Sequence, residues 1–501
     1  MLPYYQHIPF FSIVLMMIAG ILTSIVHKGK AAMTIHLCAV SAVFTGNLVL
    51  FFHIVPTGET FLYQLGIVSH PYGNELACGP LEVTLALTFL CVMAFCVLGG
   101  YKGIFEDIEP EKQNLYFVMC NLITASLLAM IYTNDAFTAY VFIEINTIAA
   151  CALVMAKDSG ATLVATIRYL IMSLLGSGMF LMGLTFLYHI TGHLLIIDIH
   201  EQVVQLAEHG QYLLPLTVTM GLMTLGLSVK SALFPFHTWV PDAYSTTTTA
   251  SSAIQSGLVQ KGYIVLLIKC IFSLFGEEVY RAFHVGDVLL ILGTLAMIVG
   301  SVKAMQETHI KRMIAYSSVA QIGYIYLGFG LGGKAAAAAA IYQILVHAFT
   351  KPLLFVCAGE LSEASGHRKQ MYYLRGAGHR AKLAGIGFTV GGLSMIGLPL
   401  LGGFAVKFFL SDAALADSWR MWAALGALAV SSVLNALYYL PAIVQIWTIQ
   451  DHGEDHLPTL PAVRPGVAVA VSIVSLALGS ILLGVLCTPV GALISDGLNL
   501  L

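Results

Sequence analysis

Residues 212–240 read YLLPLTVTMGLMTLGLSVKSALFPFHTWV, an apolar run that cannot be one straight crossing of a bilayer. It exceeds the roughly 20 residues an upright helix needs. Pro235 breaks its hydrogen-bond ladder, Pro241 follows it, and Lys230 stands inside it. Residues 383–416 repeat the arrangement, with Gly391, Gly392, Gly397, Pro399, Gly402 and Gly403 ahead of Lys407. Proline and glycine free backbone carbonyls, which a membrane tolerates only where they face protein or water. Two interrupted helices at matching places in two halves of a chain point to a transport path between the halves.

The rest of the chain supports a membrane setting. Of 501 residues, 58% are hydrophobic and 10% charged, whereas soluble domains are roughly 25% charged. Composition thus excludes a soluble enzyme and a disordered chain. A net charge of −3 excludes the clustered basic surface of a nucleic-acid binder. Long continuous apolar runs, without alternating polarity, exclude a β-barrel. Apolar windows predict an all-α polytopic protein of about fourteen spans. Five spans centred between 123 and 262 and five between 295 and 432 form two repeats, each with its broken helix fourth, and the odd number inverts one against the other. The expected divisions are 1–110 (helices 1–3), 111–280 (first repeat), 281–450 (second repeat) and 451–501 (helix 14), with a short surface helix over 197–210.

If successive loops alternate sides, thirteen Lys and Arg residues, from Lys28 to Arg464 and including Lys311, fall on one side, against Arg281, Lys334 and Arg420 on the other. Basic loops stay inside, so the first side is expected to be cytoplasmic, with both termini outside and the chain in the cell's inner membrane. The nine cysteines form no CxxC and read as small buried hydrophobes; no metal site is expected. Residues 328–333 fit GxGxxG, but they close an apolar helix and follow no strand, so a dinucleotide site is rejected.

Seven basic residues remain inside spans: Arg168, Lys230, Lys261, Lys269, Lys303, Lys351 and Lys407. Each costs roughly 3 kcal/mol at mid-membrane. Arg168, Lys269 and Lys303 sit near span ends, where snorkelling accounts for them. Lys230, Lys261 and Lys407 lie deeper, and Glu144 is the clearest acidic residue within a span. Gln343, His347 and Lys351 recur at i, i+4 and i+8 on one helix face; they read either as one satisfied histidine beside a snorkelled lysine or as a polar stripe that passes protons. Tyr316, Ser317, Ser318, Gln321 and Tyr324 add hydroxyls and an amide nearby, and the hydroxyls of 245–252 either cap a helix or line water.

Four ordered motifs then carry a resemblance: KSALFPFHTWVPD (230–242), HIKRMIAYSSVAQIG (309–323), HAFTKPLLF (347–355) and GLPLLGGFAVK (397–407). They are similar to signatures of the antiporter-like subunits of respiratory NADH:quinone oxidoreductase (complex I), membrane-bound hydrogenases and Mrp-type sodium/proton antiporters. The resemblance spans about 115–450 and implies a fourteen-helix fold with inverted repeats. It also implies that Glu144 and Lys230 are a buried glutamate–lysine pair, Lys261 the central lysine and Lys407 the terminal one. The chain departs from the family at His309, where an acidic residue is usual, at 246–249, where proline is usual, and at Gln343, where many members have histidine.

The expected function is ion translocation, of protons or sodium, driven by redox chemistry in partner subunits. Protons would pass along Glu144, Lys230, Lys261, His347, Lys351 and Lys407. No cofactor is expected in this chain; iron–sulfur and other redox centres would sit in a peripheral module, alongside other membrane subunits. The alternatives are a subunit of a Mrp-type sodium/proton antiporter, an ion-conducting partner in inorganic-carbon uptake, and a scaffold with inert charges.

Overall fold

A computed structural model of the protein describes residues 3–66, 73–416, 419–448 and 461–500. Twelve of its helices are long and apolar enough to cross a membrane among the described residues. The spans expected near 321 and 398 are not among these twelve. The first is the helix Ile310–Leu331, which opens with Lys311 and Arg312; the second is the interrupted pair Lys382–Ile396 and Gly402–Leu415. The other interrupted helix runs Leu213–Lys230, breaks, turns through Phe236–Trp239 and resumes as Val240–Thr246. The expected surface helix spans Ile196–Glu208. The division placed between 450 and 451 lies outside the described residues.

Polar residues mark where these apolar helices begin, because the first backbone N–H groups of a helix need acceptors. Asp135 accepts from the amide of Thr138 at 2.5 Å, Ser159 and Thr162 form a reciprocal capping box, and Thr248 accepts from Ser251 at 3.2 Å. His309 caps Ile310–Leu331 by accepting from Arg312 N at 3.4 Å. That role suits a neutral ring, and burial together with Lys369, Lys311 and Arg312 holds its pKa down to about 4.

Each end of the bundle is tied across elements. At the end carrying the N-terminus, an antiparallel hairpin pairs Phe61–Leu65 with Asn74–Cys78, an element the apolar reading did not anticipate. A bridge between Leu76 and Thr133 fastens it to the bundle. At the opposite end, Asp242 binds Arg168 at 2.5 Å and Arg312 at 2.8 Å, fixing the second half of the first broken helix to two neighbours.

Among the twelve apolar helices, those most enclosed by protein are Thr249–Phe275 and Lys334–Glu363, each 89% buried over its apolar window, against 28% for Val467–Val485, and Ile310–Leu331 beside them is buried except at Arg312 and Tyr316. The first holds Lys261, and the second holds His347 and Lys351. Around them the helices touch backbone to backbone: a Cβ on Gly176 would lie 2.7 Å from the carbonyl of Gly226, and one on Gly293 2.7 Å from Leu327 N. Gly328 and Gly330 serve the same purpose, since a Cβ on the first would lie 2.9 Å from Ala336 O and one on the second would run into Leu290 N, whereas Gly332 and Gly333 turn the chain at φ 74° and 82°.

Two basic residues differ from their sequence reading. Lys269 does not snorkel; the hairpin covers its end of the bundle, leaving it 5% exposed. Lys311, counted with the loop cations, is buried and donates to the carbonyl of Thr247 at 3.3 Å and to Ser252 Oγ at 3.4 Å. Arg168 and Lys303 are on the surface, as snorkelling requires.

Candidate functional site: a buried file of lysines

The first break places Lys230 as the last residue of its helix. The chain leaves the helix through Ala232 at φ 62°, and Ser231 Oγ meets Tyr326 Oη at 2.6 Å. Lys230 Nζ donates to Thr147 Oγ1 at 2.6 Å and lies 5.1 Å from the centre of the Tyr263 ring. Glu144 does not contact it. The glutamate shares the face of Phe137, Val141 and Ile148, which are 47%, 39% and 63% exposed, so it borders the outside of the chain. Its Oε1 is nevertheless buried with no hydrogen-bond partner. Glu144 acts on Lys230 only through space, while the ammonium's hydrogen bond goes to Thr147.

Lys261 follows a π-helical turn, Gln255–Val259, and its ammonium donates to the carbonyl of Ser256 inside that turn. π-Turns within α-helices cluster at functional sites. Ser256 Oγ reaches Ser318 Oγ at 3.4 Å. The adjacent Ser317 accepts from Lys351 and meets Tyr439 Oη at 2.6 Å, while Lys351 also reaches Tyr439 Oη at 3.3 Å. His347, wholly buried, has no hydrogen-bond partner for either ring nitrogen and lies within electrostatic reach of both Lys261 and Lys351. Gln343, on the same face, instead donates to Gln321 Oε1 at 2.7 Å.

The polar thread continues to the second break. Tyr438 donates to Asn435 Oδ1 at 2.6 Å, Asn435 Nδ2 donates to Tyr324 Oη at 3.4 Å, and the Tyr324 ring centre lies 5.7 Å from Lys407 Nζ. Lys407 is half-buried and donates to the carbonyl of Ile396, one of those freed by the interruption.

Among the described residues, none of Lys230, Lys261, Lys351 and Lys407 forms an ion pair; hydroxyls and main-chain carbonyls hold them. Side-chain atoms of Asn146, Gln255, Gln260 and Gln321 are buried without partners. Each such group costs about 1–3 kcal/mol, which water relieves where room allows. Thr147, Tyr263, Tyr439 and Asn435 were not singled out from the sequence. Their signal is present, since Asn435 and Tyr439 lie one helical turn apart, Thr147 one turn from Glu144 and Tyr263 two residues from Lys261, but it is submerged in apolar runs.

Removing one hydroxyl tests the thread. In Tyr439→Phe, Ser317 and Lys351 lose a shared oxygen, at a cost of about 1–3 kcal/mol. Transport is expected to slow while assembly stays normal, read as ion flux per turnover beside the amount of intact complex.

These features define a polytopic carrier with two interrupted helices and a buried cationic axis. A family model described as "NADH:quinone oxidoreductase/Mrp antiporter, TM" matches residues 133–434, and the chain belongs to this family. It is 33% identical over 412 residues to NADH-quinone oxidoreductase subunit N of Desulforudis audaxviator, covering 81% of this chain and 79% of that one. It is 27% identical over 409 residues to an Na(+)/H(+) antiporter subunit of Alkalihalophilus pseudofirmus, covering 79% of each. Its fold superposes on a chain of the Mrp complex from Dietzia sp. with a TM-score of 0.85 at 21% identity, covering 99% of this chain and 97% of that one.

Proposed function

We propose that this chain is the ion-translocating membrane subunit of a multi-subunit complex and that its cargo is the proton. The observation that carries this reading is the file Lys230, Lys261, Lys351 and Lys407, interleaved with hydroxyls and unpaired amides and free of ion pairs among the described residues. An ammonium exchanges protons but has no lone pair to offer sodium, which prefers oxygen ligands. Glu144 biases the first step: approach of its carboxylate favours a charged Lys230, and its withdrawal favours release. The proton then passes Lys261 and the His347/Lys351 face to Lys407. Moving one charge against 100 mV needs roughly 2.3 kcal/mol, so partner subunits must supply the energy. Redox centres in those partners are the source proposed here, supported by the relative named NADH-quinone oxidoreductase subunit N. The basic-rich end of the bundle is proposed to face the cytoplasm, with both termini outside and residues 111–280 and 281–450 as the two repeats.

The Na(+)/H(+) antiporter relative from Alkalihalophilus pseudofirmus favours a second reading, a sodium/proton antiporter assembly without redox chemistry. One experiment separates the two. The complex is purified in mild detergent, its chains are identified, and vesicles are tested for acidification driven by an electron donor. Sodium-independent, donor-driven acidification with iron–sulfur companions is expected. A pH gradient that needs only a sodium gradient would replace the first reading with the second.

A further inference from the structure

A second buried charge cluster lies away from this file, at the end of the bundle that carries the N-terminus. A cavity of about 470 Å³ opens there between the hairpin, the start of the helix Pro80–Gly99 and the last described residues. Phe61, Cys78, Glu82, Asn134, Ser273 and Leu500 contribute to its wall. Glu82 is only 5% exposed. Lys269, also 5% exposed, donates to the carbonyl of Thr133 at 2.8 Å, next to the cavity-lining Asn134, and forms no ion pair with Glu82. The two charges lie within electrostatic reach of each other. Ser273 Oγ is buried without a partner and lies one helical turn beyond Lys269.

Packing alone does not account for this arrangement, because an apolar pair of similar volume would stabilise the same interior at least as well. Its position is informative. Lys269 and Lys261 share the helix Thr249–Phe275, eight residues and about 12 Å apart along one face. Each adjoins a π-helical turn, Gln255–Val259 for Lys261 and Cys270–Phe275 for Lys269.

We propose that Glu82 and Lys269 form a proton-exchange site that opens through this cavity to the aqueous phase on the N-terminal side and communicates with Lys261 along the shared helix. This rests on the reading of Lys261 as a proton carrier. Glu82 and Lys269 form no ion pair, so a water of the cavity relays the proton: an N–H bond of the Lys269 ammonium breaks to that water, which in turn gives up a proton so that an O–H bond forms on the Glu82 carboxylate, leaving a neutral amine and a carboxylic acid. The acid then gives its proton to water in the cavity. Lys269 is the charged group that acts on Glu82, and Glu82 in turn acts on Cys78 and Tyr132; Glu75, on the hairpin, lies within reach of Asn134 Nδ2 at 3.3 Å.

The test uses the intact complex in vesicles with the N-terminal side exposed. Dicyclohexylcarbodiimide modifies protonated carboxyls in apolar surroundings, and peptide mass spectrometry reads the label on Glu82. Label is expected at acidic pH, falling about tenfold per pH unit above the titration point, with the profile displaced in Lys269→Met. No label at any pH, or the same profile in Lys269→Met, would overturn the site. Labelling does not require pumping, so it distinguishes failure of this site from failure of the lysine file. In transport, Glu82→Gln is expected to slow donor-driven proton release roughly tenfold and Glu82→Asp to restore it. Normal release by an assembled Glu82→Gln complex would overturn the exchange role.

Discussion

Lys230→Ala should abolish proton transport in a complex that still assembles. The side chain ends on one hydroxyl, Thr147 Oγ1, which keeps its bonds to the Ile143 carbonyl at 2.8 Å and to Tyr263 Oη at 3.3 Å when the lysine is gone. Truncation therefore leaves little unsatisfied, and the protein should accumulate normally. Transport should fall below about a tenth of normal, equivalent to roughly 1.4 kcal/mol or more on the limiting step. Lys230→Arg discriminates between roles. Arginine keeps the positive charge but does not deprotonate in proteins, so it would rescue a structural cation and not a proton carrier. Vesicle acidification per donor oxidised reads both variants, and normal pumping by either would remove Lys230 from the path.

The second large effect is on folding. Gly403 is the second residue of the helix after the second interruption, Gly402–Leu415, and a Cβ there would run into the carbonyl oxygen of Ser394. Neither group can swing aside, because both belong to the backbone. Overpacking in cores typically costs about 1–3 kcal/mol, and Gly403→Ala should exceed that range. The expected result is loss of folded protein from the membrane, or a large drop in Tm in detergent. Gly178→Ala is the comparison: nothing lies within 4 Å of its added Cβ, and alanine gains about 0.5–1 kcal/mol over glycine within a helix. Equal behaviour of the two variants would contradict the close approach.

The interrupted helices could be read from the sequence because proline and glycine act locally, through hydrogen bonds they omit or conformations they permit. Lys230 and Lys407 stood out for a related reason: charge within an apolar run is costly wherever it lies. Partners were harder to read. Glu144 and Lys230 are matched by motif, yet Lys230 bonds Thr147 instead, and helical spacing within Ala136–Met155 does not reveal which side chain faces a lysine on another helix. Lys269 misled because distance from a span's end says nothing about what covers that end; here it is a hairpin whose strands, Phe61–Leu65 and Asn74–Cys78, are too short to announce themselves. Tyr439 and Asn435 were hidden because tyrosine and asparagine in a long apolar helix look like ordinary packing until their neighbours are known.

The π-helical turn Gln255–Val259 accommodates one residue more than the α-helical ladder would. One residue corresponds to about 100° of rotation in an α-helix. If that surplus residue slid along Thr249–Phe275, each position it passed would swivel about the axis while the crossing kept its length. Lys261 could thus be dialled between Ser256 and another neighbour without any helix tilting or any loop opening, a selector switch fitted inside a single rod.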